Sequence, residues 1–230
     1  MQIVLCADNV YADEALQCVE YIKKTQKATI HLLGDNICLN NKIKLEQQGV
    51  NVVDFKSREQ LKQHWTPHFL KLFIPEYFPC LDKVIYLDTD TIPIRRLLPL
   101  WNTNISDYYA AGTINVVTPI AKYIKFFDYT FLHPNTKIMN TGVMVLNLQK
   151  WRADNITEKL VRYTHDSIKL ISKNNNSLDV VTEMEREEYS FNVLLANKWL
   201  PIDDKWNVTR LSRVKTPYIV HLGPWRRRDL

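Results

Sequence analysis

Three strand patterns separated by two helical ones, all within the first 55 residues, restrict this chain more than anything else in it. "QIVLCA" (Gln2–Ala7) reads as a buried strand, after which Ala12, Ala15, Leu16, Val19 and Ile22 recur at helical spacing. "ATIHLL" (Ala28–Leu33) is a second strand, closed by Gly34-Asp35-Asn36. Leu39–Gln48 reads as a helix with Gly49 as its stop, and Val50–Phe55 as a third strand. Strands that alternate with helices in this way build a sheet of parallel strands joined by crossover helices. The pattern predicts an α/β fold with a mainly parallel central sheet.

Further along, the spacing predicts a helix over Pro67–Phe78 and a strand over Lys83–Leu87. Tyr108–Ile114 and Thr141–Leu148 read as strands. Ile156, Leu160, Tyr163 and Ile171 mark a late helix, Ser172–Ser177 a polar loop, and Tyr218–Gly223 a last short strand. No repeat and no separating linker is visible, so residues 1–230 are expected to form one domain. Only 5 glycines and 10 prolines argue against a low-complexity chain. No apolar run approaches the ~18 to 20 residues needed to span a bilayer. The opening residues carry no basic leader and reach Asp8 too early for a signal peptide. Cys6, Cys18, Cys38 and Cys80 form no CxxC pair and read as free thiols of a reducing compartment. The expectation is a cytoplasmic protein. A net charge of +5 suits a phosphate-bearing ligand or an anionic membrane face, but no basic stripe or stacking module points to nucleic acid.

The stretch "KVIYLDTDTIPIRRL" (Lys83–Leu97) carries the chemistry. An apolar strand ends on Asp88-Thr89-Asp90, although Asp is a poor strand residue. In an open α/β sheet, ligands sit outside the carboxyl ends of the strands, where these acids fall. Alternation sends both side chains roughly to one side, so two hard carboxylates could hold a divalent cation and through it a diphosphate. The other reading is a turn capped by Asp and Thr. Asp-x-Asp alone leaves both open.

Five stretches, in order, resemble glycosyltransferase family 8, which includes glycogenin and bacterial lipooligosaccharide galactosyltransferases. "CADNVYADEAL" looks like the family's nucleotide-binding first loop, and "HFLKLFIPEYFPCLDKVIYLDTDTI" is similar to its helix and metal strand. "MNTGVMVLNLQKWR" is close to its Asn-[Ser/Ala]-Gly-Val stretch. "EEYSFNVLLANKWLPIDDKWNV" resembles its Asp-Gln-x-x-Leu-Asn helix with the segment that follows, and "HLGPW" resembles its closing motif. The resemblance implies a single-domain GT-A fold, Rossmann-like, and metal-dependent transfer of a hexose, glucose or galactose, from a UDP-sugar with retention. Manganese is the implied metal, with magnesium as the alternative. The implied acceptor is a glycan or glycolipid. A glycogenin-like self-glucosylating primer and an inactive nucleotide-sugar binding module are the rival readings.

Roles follow residue by residue from the resemblance. Ala7, Asp8 and Tyr11 would meet the uridine, although Asp8 could equally cap the following helix. Lys71 would lie near the donor, although most lysines are solvated. Asp88 and Asp90, with Thr89 between them, would hold the metal, with His221 as the third ligand. Asn140 would contact the donor sugar, and Gly142 would let the backbone approach it. Glu187 and Glu188 stand at the family's Asp-Gln pair, with Asn192 at its Asn; the same residues also read as a charged helical face. Glu188 replaces an amide by a carboxylate, which suits a nucleophile or a stabiliser of an oxocarbenium-like centre. The closing motif is four residues shorter than the family's pattern and lacks its lysine. Gly223 and Trp225 would line the diphosphate, and Arg226 would supply the missing cation unless the basic end instead meets a membrane face.

Overall fold

The chain begins in the centre of a sheet. In the computed structural model, residues 1–56, 67–115, 132–133, 135–173, 185–210 and 212–223 are described. β1 (Gln2–Asp8) pairs in parallel with β2 (Thr29–Asp35), and β2 in parallel with β3 (Val50–Asp54). The connections are α1 (Ala12–Thr25) and α2 (Leu39–Gln47), as the periodicity predicts. Gly49, at φ 75°, turns the chain out of α2 into β3. α1 buries Ala15, Cys18, Val19 and Ile22, and burying a side chain as large as Val19 or Ile22 stabilises by about 1.5–3 kcal/mol. Asp13 and Glu14 in its first turn and Lys23 and Lys24 in its last both oppose the helix dipole.

The predicted helix over Pro67–Phe78 is instead a 3₁₀ segment, Pro67–Phe73, that runs into one α-helical turn, α3 (Ile74–Tyr77). Pro75 has no N–H with which to bond the Lys71 carbonyl, so a continuous α-helix would break there. β4 (Lys83–Leu87) then pairs in parallel with β1 on the side opposite β2. The chain continues through β5 (Thr91–Pro93), α4 (Leu98–Trp101), β6 (Ala110–Ile114), β7 (Met139–Asn147), α5 (Leu148–Ala153), α6 (Ile156–Lys173), α7 (Glu185–Leu194), β8 (Trp199–Pro201) and β9 (Ile219–His221). The polar loop expected at Ser172–Ser177 begins inside α6 and then leaves the described residues.

The main sheet has the order β3-β2-β1-β4-β7-β6-β8. β7 is antiparallel to both β4 and β6, and the other pairings are parallel. β5 and β9 form a separate antiparallel ribbon that places Thr91 opposite His221. That ribbon was not legible as a strand pair, because Pro93 argues against strand and the partners lie far apart in sequence. Alternate residues of β1 enter two apolar clusters. Ile3, Leu5 and Ala7 pack under α1 with Leu45 of α2, and Val4 and Cys6 face Phe69, Phe73 and Trp151 on the other side. Both faces of the sheet are thus covered, which leaves its strand ends as the place for a ligand. Among the described residues no helix is long and apolar enough to cross a membrane. All four cysteines are free; Cys6 and Cys18 are buried.

Candidate active site

The strand order reverses at β1, whose neighbours are β2 and β4. A crevice opens beyond the carboxyl ends of strands at such a point. Asp8 ends β1 and Asp88 follows β4 there. Because β7 runs antiparallel, its amino-terminal residues meet the same end of β4, and the Asp88 amide donates to the Gly142 carbonyl at 2.8 Å. The β5–β9 ribbon brings in His221. Segments far apart in sequence therefore converge on one spot.

The convergence yields a three-group cluster. One ligand atom from each of Asp88, Asp90 and His221 lies within 4.8 Å of the other two. His221 Nε2 is 3.1 Å from Asp90 Oδ1 and 3.8 Å from Asp88 Oδ2. Two carboxylate oxygens and an imidazole nitrogen form a donor set able to hold a divalent cation. The backbone is shaped to the cluster: a Cβ on Gly142 would lie 2.2 Å from His221 Cε1 and 2.9 Å from Asp88 Oδ2. Gly142 thus serves the imidazole and the carboxylate directly. Burial alone would keep His221 neutral, but the hydrogen bond and charge of Asp90, with the charge of Asp88, raise its pKa above the usual imidazole value.

Behind Asp88 lies a buried ionic network. Its Oδ1 accepts from Tyr86 Oη at 2.5 Å and from Lys71 Nζ at 3.2 Å, which leaves Oδ2 as the oxygen turned to His221. Lys71 is 1% exposed, so it is neither solvated nor free to reach a ligand from the surface. Its ammonium also donates to Glu187 Oε1 at 3.2 Å and to the Thr141 carbonyl at 3.4 Å. Burial would pull the Lys71 pKa down; Asp88 and Glu187 outweigh it and push it up. For Asp88 burial would raise the pKa, and Lys71, followed by His221, holds it below the ordinary carboxylate value. Thr141 Oγ1 also donates to Glu187 Oε1, at 3.2 Å. Glu187 Oε2 is buried with no partner among the described residues. The charged helical face therefore holds for α7 only in part, because Glu187 points inward.

Glu188 Oε1 accepts from Asn115 Nδ2 at 2.6 Å. Asn192 pins α7 to β7: its Oδ1 accepts the Met139 amide at 2.6 Å and its Nδ2 donates to the Met139 carbonyl at 2.9 Å. Asn140 Oδ1 accepts from the Gly142 amide at 2.9 Å and from Asn207 Nδ2 at 2.7 Å. Asp8 Oδ1 accepts from the Val10 and Tyr11 amides, so it caps the turn before α1. Ala7 is buried. Tyr11 is half-buried, with its ring centroid 6.4 Å from that of His68. Thr89 is buried between the two acids. Gly223, at φ 68°, lies one residue beyond Leu222, which follows β9. Trp225 and Arg226 lie outside the described residues.

Sequence reasoning missed Tyr86, Thr141, Asn115 and Asn207. Tyr86 was the most accessible of them, since a residue two before Asp88 on a strand shares its face. Asn207 gave no local signal, because its partners are 14 and 67 positions away.

The α/β fold, with its mainly parallel central sheet, is of the GT-A type found in glycosyltransferases. The profile of glycosyl transferase family 8 matches residues 2–221, and the chain belongs to that family. Among curated relatives, General stress protein A of Bacillus subtilis is 21% identical over 94% of this chain and 77% of its own length. Glycosyltransferase GlyA of Streptococcus pneumoniae is 25% identical over 89% of this chain, which spans only 27% of that protein. A putative glycosyltransferase of Haemophilus influenzae is 25% identical over 68% of this chain and 47% of its own length. The chain thus spans less than half of those last two relatives. Among solved structures, the galactosyltransferase LgtC in complex with donor and acceptor sugar analogues superposes with a TM-score of 0.75 at 21% identity, covering 97% of this chain and 88% of that one. The apo glycosyltransferase WbbM, a bifunctional enzyme, superposes at 0.73 and 16% identity, over 97% of this chain and 45% of that one. These likenesses show the fold.

Proposed function

We propose that the chain is a metal-dependent, retaining hexosyltransferase that uses a UDP-sugar donor and a glycan or glycolipid acceptor. The observation that carries the reading is the Asp88–Asp90–His221 cluster at the strand-order reversal of a family 8 fold. Those three side chains would hold a divalent cation, manganese first, which when bound supplies Lewis-acid neutralisation of the departing diphosphate. Asp8 and Tyr11, at the end of β1, are suited to receive the uridine, the ring of Tyr11 by stacking. Lys71 holds Asp88 and Glu187 in register from behind, so its proposed place is as a positioning residue instead of a donor contact. Both lone pairs of Asn140 Oδ1 are occupied, so contact with a donor sugar falls to its Nδ2. Glu188 is the proposed group that faces positive charge at the anomeric carbon, oriented by Asn115.

The deciding experiment is a donor screen by UDP release, with and without Mn²⁺, on wild type and Asp90→Asn. UDP-galactose leads the screen because the neighbour LgtC is a galactosyltransferase; UDP-glucose and UDP-galacturonate follow. Mn²⁺-dependent release from one donor, absent in Asp90→Asn, is the expected result. Binding of UDP-sugars with no release from any would refute an enzyme and leave a binding module. Cytoplasmic placement, and membrane contact through Arg226–Arg228, belong to the same proposal.

A further inference from the structure

The direction of each hydrogen bond around His221 can be read from one fixed donor. The Gly142 main-chain N–H can only donate, so the Asn140 side-chain atom 2.9 Å away is its carbonyl oxygen. The Asn207 atom 2.7 Å from that oxygen must then be the amide nitrogen. The other end of the same amide, 2.9 Å from His221 Nδ1, is consequently an oxygen, and Nδ1 must carry the hydrogen that it accepts. Reversing the Asn207 amide would set oxygen against oxygen at 2.7 Å and N–H against N–H at 2.9 Å. Asn207 is 3% exposed, so water cannot repair such a mismatch cheaply. The backbone holds the geometry too. The His221 amide donates to the Val208 carbonyl at 2.9 Å, and the Val208 amide to the Ile219 carbonyl at 3.0 Å, which lashes residue 207 to β9. The buried Trp206 anchors the preceding turn against the core.

We propose that Asn207 is a positioning residue that confines one hydrogen of His221 to Nδ1, so that Nε2, turned toward Asp88 and Asp90, is the nitrogen that gives up its hydrogen and ligates when a cation binds. The relay runs from the Gly142 amide through Asn140 to Asn207. A neutral imidazole ligates through the nitrogen without hydrogen, so this tautomer alone makes His221 a ligand on the side of the two carboxylates. The proposal rests on the metal-dependent reading given above. It assigns a function to "WNV" (Trp206–Val208), a stretch whose chemistry lies entirely in long-range partners.

The test is Mn²⁺ titration in the presence of UDP, followed by the electron paramagnetic resonance of free Mn²⁺. Asn207→Leu should bind Mn²⁺ about 10–100-fold more weakly than wild type, the usual loss when a ligand's orienting partner is removed. Asn207→Asp keeps an acceptor for Nδ1–H but sets an oxygen against Asn140 Oδ1, so its binding should fall between that of Asn207→Leu and wild type. Asn140→Leu leaves the 207 amide unoriented and should weaken binding by about tenfold. Selective ¹⁵N-histidine labelling of the Mg²⁺- and UDP-loaded protein gives the tautomer directly: the hydrogen of His221 sits on Nδ1 in wild type and is no longer confined there in Asn207→Leu. If wild type itself fails to bind Mn²⁺, the metal reading falls and takes the relay with it. If wild type binds and Asn207→Leu binds equally well, or the wild-type hydrogen sits on Nε2, the relay alone is overturned. Should Asn207→Leu not fold, Asn140→Leu and the wild-type tautomer decide alone: equal wild-type binding in Asn140→Leu, or a wild-type hydrogen on Nε2, overturns the relay.

Discussion

A single methyl group at position 142 should dismantle the acid–imidazole cluster while leaving the sheet folded. The backbone of Gly142 is not left-handed, so Gly142→Ala acts through contact alone. The new Cβ would lie 2.2 Å from His221 Cε1, whereas carbon atoms rest about 3.5 Å or more apart, so the ring must retreat by about 1.3 Å. It has nowhere to go without loss, since Asn207 holds Nδ1 and β9 pairs with β5 on the other side. Asp88 Oδ2, 2.9 Å from the same methyl, must shift as well. Metal sites tolerate about 0.2 Å of ligand displacement, and a misplacement of ~1 Å can cost on the order of 100-fold in rate. Mn²⁺-dependent UDP release should therefore fall about 100-fold or more, with Mn²⁺ affinity falling in parallel. Overpacking costs about 1–3 kcal/mol, against the ~5–15 kcal/mol of a typical domain, so a cooperative melt should survive at a temperature lower by several degrees. Calorimetric unfolding and Mn²⁺ titration read the two effects separately. A Gly142→Ala protein that binds Mn²⁺ like wild type would refute the argument, because the contact distances would then not govern the site.

Lys71→Met should destabilise the fold by about 3–5 kcal/mol in denaturant titration, since it strands the buried Asp88 and Glu187 carboxylates without their cation. Asp88→Asn and Asp90→Asn should both abolish Mn²⁺-dependent turnover, but Asp88→Asn should also cost about 1.5–3 kcal/mol, because only it removes a charged partner from Lys71; equal melts for the two would contradict this. Glu188→Gln should lower turnover while donor affinity holds, and unchanged turnover would show that an amide suffices there. His31, packed between Gln2 and Asn51 and against Phe78, has its pKa lowered by burial. In the window below the ordinary imidazole value of 6.5 the unfolded chain binds the proton that the folded one refuses, so stability falls as pH drops through that window. His31→Gln should flatten that part of the melting-temperature profile, and an unchanged slope would assign it to other groups.

The fold was largely legible because its evidence is local. β1, α1, β2, α2 and β3 each announce themselves in a window of a few residues, and their alternation dictates parallel pairing. What failed was what depends on partners. The 3₁₀ character of Pro67–Phe73 reflects one missing N–H at Pro75, and the β5–β9 ribbon joins the legible last strand to a partner about 130 residues away, Thr91–Pro93, that is too short to read. The direction of β7 was also invisible, since its short apolar run, Val143–Leu146, pairs equally well either way.

The two aspartates show the same divide inside the site. In sequence Asp88 and Asp90 are interchangeable, two acids at the end of one strand. In the structure their side chains are exposed to a similar extent, 23% and 26%, so burial does not separate them. Their second oxygens do. Asp88 spends Oδ1 on Tyr86 and Lys71, so it is held rigidly from behind and offers one oxygen forward. Asp90 is met by His221 instead. One acid is therefore anchored to the fold through Lys71 and thence to α7, and the other is anchored through β9. A cation held between them would join the half of the site built by β4, β7 and α7 to the half built by the ribbon. The site's integrity then depends on a buried lysine, a glycine without room for a methyl and an asparagine amide, none of which belongs to the Asp-x-Asp motif that first drew attention to it.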